Sequence, residues 1–96
     1  MFLLNVSYVR PVEEVMPHKD SHMIWIQKYL AEEVFLMVGP KKSKLGGVIL
    51  VKSIDKALLQ KIIAEDSFVK HDVAEYQIID FDCGLTVDAL AVLRTA

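Results

Sequence analysis

The chain predicts an α+β fold in which a four-stranded antiparallel sheet carries two helices on one face, and three observations point there. The hydrophobic periodicity follows the order β-α-β-β-α-β along 96 residues, a length that suits one domain. Glycine and proline punctuate the boundaries between several of the periodic segments. Finally, 53% of the residues are hydrophobic, more than one small core can hide when a chain of this size buries only about two thirds of its unfolded surface. A split βαβ unit with helices on one side leaves the opposite sheet face bare, so the apolar surplus predicts a second copy of the chain on that face.

Each element has its own local reason. Phe2 to Val9 mixes β-branched, aromatic and leucine residues and stops at Arg10-Pro11, a strand followed by a turn, because the residue before proline avoids the helical region. From Pro17 to Glu32 the spacing is helical, and Pro17 suits a first turn, where its missing N–H would be unpaired in any case. At 100° per residue His22, Met23, Ile26, Tyr29 and Leu30 share one arc with Trp25 at its margin, and His22 sits near the middle. Ile24 falls on the polar side and is a candidate subunit contact.

Val34 to Val38, ended by Gly39-Pro40, and Gly46 to Val51 are short apolar runs that read as buried strands. The polar, basic stretch between Gly39 and Gly46 makes a hairpin loop. Ser53 can cap a second helix from Ile54 to Glu65, where Ile54, Leu58, Leu59, Ile62 and Ile63 recur at three- and four-residue spacings. Alternation of Val73, Glu75 and Gln77 against Ala74, Tyr76 and Ile78 marks a last strand ending near Asp82. In the tail, residues 83–96, Leu85, Ala89, Val92 and Leu93 are spaced for a short helix lying on its own subunit or on the partner.

Composition excludes several functions. With 11 Lys plus Arg against 13 Asp plus Glu, the formal charge is −2, and no basic surface of the kind that binds nucleic acid is encoded. Lys41, Lys42 and Lys44 form the one basic cluster, in the predicted hairpin loop. The longest apolar runs, Val34–Val38 and Ala89–Leu93, fall far short of the roughly 20 residues that cross a bilayer. The N-terminal stretch has no basic region and no cleavage site of an export signal, which predicts a cytoplasmic protein. Cys83 is the only cysteine, so no internal disulfide and no cysteine-based zinc site is available. No cofactor motif is present, and none is expected.

The order of several short segments resembles the YCII-related (YciI-like) family. They are an N-terminal strand ending in Pro11-Val12-Glu13-Glu14, His22 followed by Tyr29-Leu30, Gly39-Pro40, Gly46-Gly47-Val48-Ile49-Leu50, Ala64 to Lys70, and Glu75 to Phe81. The resemblance covers residues 2 to 82 within a single domain, 1–96, and implies a ferredoxin-like fold that dimerises into an α/β barrel. It also implies an active-site pair of His22 and Asp66 in a pocket at the barrel mouth, with Gly39, Pro40, Ser67 and Phe68 around it. Some relatives are linked to dehydrochlorination of hydroxylated aromatic compounds. Three positions depart from the family pattern: Ser67 replaces a proline, and Glu33 and Asp72 replace glycines. Glu tolerates a left-handed backbone poorly, which predicts a different path at Glu33, and Ser67 bears on how firmly Asp66 is held.

Two readings of these residues stand side by side. His22 is either a core histidine with satisfied nitrogens or a general base or acid oriented by Asp66. Asp66, at the predicted C-terminus of the second helix, is either a turn former or a carboxylate facing the negative end of a dipole, with His22 as its partner. His18 and His22 have a metal-compatible spacing, to which His71 and Asp72 could add, though most such pairs bind nothing. Trp25 and Tyr29 read as core more readily than as an aromatic pocket. The function class is accordingly a small acid–base enzyme, lyase or dehydrochlorinase-like, acting on a small organic molecule. The alternative is a non-catalytic ligand-binding or assembly module.

Overall fold

Four strands pair antiparallel in the order β2-β3-β1-β4 in the computed structural model, which describes residues 1–96. The strands are β1 (Phe2–Tyr8), β2 (Phe35–Pro40), β3 (Gly46–Val51) and β4 (Ala74–Asp80). The helices are α1 (Val12–Val15), α2 (Lys19–Ala31), α3 (Lys56–Ala64) and α4 (Ser67–Lys70). The predicted α+β architecture is therefore present, with β3 and β1 as the two inner strands and β1 paired antiparallel to both β3 and β4. Alternate residues of β1, namely Phe2, Leu4 and Val6, point to the helix side and are buried with Ile49 and Val51 of β3 and Phe35 of β2. Trp25, Ile26 and Tyr29 of α2, Leu59, Ile62 and Ile63 of α3, and Phe68 of α4 close the core above them. No helix is long and apolar enough to cross a membrane.

The boundaries differ from the sequence reading for local reasons. The first long helix starts at Lys19 instead of Pro17, because Pro17, lacking an N–H, sits in a tighter 3₁₀ turn (Met16–His18) that follows α1. The centre of the buried arc is Trp25 and Ile26, while Met23 (39% exposed) and Leu30 (37% exposed) border an open cleft. Ser53 does not cap α3. Its Oγ accepts from the N-terminal ammonium (3.0 Å), which also donates to the Phe81 carbonyl (2.7 Å), and Asp55 takes the N-cap position. Ile54 thus precedes the helix, though it still packs on the core. β2 runs on through Gly39-Pro40, which a proline permits because β2 is an edge strand. β4 ends at Asp80.

Two helix ends share one device. At the end of α2, Val34 N–H returns to the Tyr29 carbonyl (2.9 Å) and Glu33 N–H to Leu30 (3.0 Å). At the end of α4, Val73 N–H returns to Phe68 (3.0 Å) and Asp72 N–H to Val69 (3.2 Å). Both are Schellman turns, which place one residue in the left-handed region, and Glu33 (φ 57°) and Asp72 (φ 53°) occupy it. The backbone path predicted to diverge at Glu33 is therefore kept, and the glutamate adopts the glycine-like conformation.

The tail forms no α-helix. Asp88–Thr95 is a 3₁₀ segment broken at Leu90, none of its residues is buried, and Leu85 is 94% exposed. Its apolar spacing lacks a deep groove to fill, although Val92 and Ala96 border a shallow hollow with Leu30, Leu36 and Lys52 of the same chain. On the sheet face away from the helices, the register aligns Met37, Leu50, Leu3 and Ile79 in one apolar row across all four strands.

Candidate active site

α2 and the α3–α4 junction bring together two side chains separated by 44 positions. His22 lies one turn into α2, where its ring stacks flat on Phe68 (centroids 3.8 Å apart, planes within 5°) and tilts against Trp25 (5.6 Å). Trp25 is itself fixed by donation from Nε1 to the Ile62 carbonyl (2.9 Å). Packing on Phe68 and Trp25 therefore constrains the imidazole plane before any hydrogen bond is made.

Asp66 is fully buried, and its position corrects the sequence reading. It is the N-cap of α4, with an extended backbone, and its Oδ1 accepts from Phe68 N–H (3.2 Å). Oδ1 also lies 2.6 Å from His22 Nδ1, and Oδ2 accepts from the Tyr76 hydroxyl (2.6 Å). A carboxylate can only accept, so these contacts place a proton on Nδ1, and in the neutral imidazole the lone pair is then on Nε2. The His22 side chain is 12% exposed and lines the cleft. The Nε2 nitrogen has no partner within the protein.

Tyr76 completes the buried cluster, and sequence reasoning did not single it out. Burial first, then the Asp66 charge and the hydrogen bond to it, push the Tyr76 hydroxyl well above the ordinary tyrosine value of 10.0. It keeps its proton and goes on donating. The available signal was the alternation that set Tyr76 on the same face as Ala74 and Ile78, since a tyrosine directed inward needs an acceptor.

The other predicted residues divide. Gly39, Pro40 and Phe68 line the cleft, whereas Ser67 does not. Its Oγ donates to the His18 carbonyl (2.9 Å), tying the start of α4 to the turn before α2, because the short hydroxyl reaches backbone sooner than it reaches the cavity. His18 stacks on His71 (3.9 Å, 12°). No group of three or more His, Cys, Asp or Glu side chains is gathered as a metal site requires. Trp25 and Tyr29 are core residues. The Tyr29 hydroxyl donates to Glu65 (2.5 Å), and burial followed by that carboxylate raises its pKa to about 12.

The cleft has a volume of about 490 Å³, within the range of small-molecule sites. Met23 and Leu30 form part of its α2 wall, and Val6, Gly47 and Pro40, paired across three strands, part of its sheet side. Gly46 opens β3 at φ 151°, where a Cβ would lie 2.0 Å from the Val6 carbonyl oxygen, so only glycine lets the strands approach there.

A family model described as the YCII-related domain matches residues 1–82. No curated protein matches the chain by sequence. Among solved structures, the chain is similar to the 5-chloro-2-hydroxyhydroquinone dehydrochlorinase from Burkholderia phenoliruptrix AC1100, in complex with 2,5-dihydroxybenzoquinone. The TM-score is 0.70 at 14% sequence identity, covering 88% of this chain and 96% of that one. At that identity the likeness concerns the fold.

Proposed function

Since the chain belongs to the YCII-related domain family, we propose that it is a small cytoplasmic acid–base enzyme of the lyase type, with His22 as the catalytic residue. The observation that carries this reading is the 2.6 Å contact between His22 Nδ1 and a fully buried Asp66, on a ring whose other nitrogen has no protein partner and which lines a cleft. In this reading Nε2 takes a proton from a small ring compound, and Asp66 holds the resulting imidazolium in place. The electron pair left by the proton forms the new double bond as the leaving group departs with its own bonding pair. The proton then leaves to solvent or to the departing group. The apolar lining and the flat Phe68 ring favour an aromatic or quinonoid substrate, and the structurally similar dehydrochlorinase was solved with such a ring.

A homodimer belongs to the same proposal. The row Met37, Leu50, Leu3 and Ile79 offers a second copy an apolar strip across the uncovered sheet face, and two such sheets face to face make a dimeric α/β barrel. Sedimentation should give a dimer, and Leu50→Lys should give a monomer.

Activity is tested by chloride release from chlorinated hydroxyquinols. The wild-type chain should release chloride, and His22→Ala should lose at least about 100-fold in kcat. Equal rates in the two proteins would overturn the assignment. A ring compound that binds beside His22 without any release would favour the non-catalytic binding module.

A further inference from the structure

Among the side chains that line the cleft there is one ammonium group and no carboxylate. The ammonium is that of Lys19, and neither of the molecule's two ion pairs involves Lys19. Three positions before His22 on α2, Lys19 lies on the same helix face. It is also the first residue of α2, where the helix dipole already presents positive charge, so the ammonium gains nothing from the helix it stands on. Asp20, the acid of that turn, does not line the cleft.

The remaining polar side chains of the lining, Tyr8 and Gln27, have no hydrogen-bond partner in the protein. Tyr8 sets its ring edge-on to Phe68 (5.7 Å, 88°), the same ring that stacks on His22. Apolar residues, glycine and proline make up the rest of the lining. The whole chain carries a formal charge of −2, so any attraction for an anion is local to this cleft.

We propose that the cleft selects a ring compound bearing a negative charge, a carboxylate or an ionised ring hydroxyl, with Lys19 as the specificity-determining residue that supplies the counter-charge. This rests on the reading of the cleft as a substrate site and names its substrate class. The ammonium holds the anionic substituent at the α2 end, and the ring lies along the apolar walls within reach of His22.

The test uses 4-hydroxybenzoate and 4-hydroxybenzamide, which share a shape and differ by one charge. Each is titrated into the full chain while the His22 imidazole NMR signals report occupancy. The benzoate should bind about three- to fivefold more tightly, the range of a solvent-exposed ion pair. Lys19→Met should remove that preference and leave the benzamide affinity unchanged, and Lys19→Arg should restore it. Equal affinities in the wild-type chain, or a preference that survives in Lys19→Met, would overturn the proposal. If the His22 signals still move in that case, the acid–base reading of the cleft stands. If neither compound moves them, both readings fail together.

Discussion

The ring of His22 separates two halves of one site that are built by opposite rules. On the Nδ1 side, a carboxylate with no solvent exposure collects Phe68 N–H, the Tyr76 hydroxyl and His22 itself, so each polar group there is matched. On the Nε2 side, Lys19, Tyr8 and Gln27 line an open cleft without partners. The closed half is complete in the folded chain and contributes stability. Substitutions in the open half should change ligand binding while leaving the fold almost untouched.

The largest expected effect breaks the closed half. Asp66→Ala strips the acceptor from three donors and should cost about 3 kcal/mol in urea unfolding. A cost under about 1 kcal/mol would mean that the cluster carries no stability. A matched pair of substitutions sharpens the contrast. Tyr76→Phe removes a hydroxyl that donates to buried Asp66 and should cost about 1–2 kcal/mol. Tyr8→Phe removes the same atom from the open half and should stay within about 0.5 kcal/mol.

Alkali probes the closed side and its neighbour Glu65. Tyr29 titrates near 10.0 when unfolded and at about 12 when folded. Between these values the unfolded chain has released a proton that the folded chain keeps, so the stability present below about pH 10 falls as pH rises toward 12. Tyr76 acts in the same direction. Urea midpoints measured from pH 9 to 11 should decline, and Tyr29→Phe should flatten part of the slope.

The smallest effect lies in the turns that frame both halves. Glu33→Gly and Asp72→Gly should each stabilise the fold by about 0.5–1 kcal/mol, because glycine occupies the left-handed position without steric cost. Thermal melts should show the rise without any change in the His22 NMR signals.

The strand and helix order was legible because periodicity and punctuation are local signals. Helix starts were less so: Pro17 and Ser53 are good capping residues by type, but a tighter turn claims the first and the N-terminal ammonium claims the second. His22 and Asp66 entered as a pair through family resemblance, since no periodicity links residues 44 positions apart. Tyr76 was visible as an inward-facing side chain, yet its acceptor belongs to another element. In the tail the apolar spacing does mark a short helical segment, but with no face to bury it stays a 3₁₀ stretch broken at Leu90.

Trp25, the single tryptophan of the chain, stands 5.6 Å from the His22 ring. The indole therefore adjoins the imidazole without lining the cleft itself, and the protein carries its own optical gauge of that ring's surroundings. The intrinsic fluorescence should change when a ring compound seats beside His22, without a label or an engineered reporter. In His22→Gln that response to ligand should weaken.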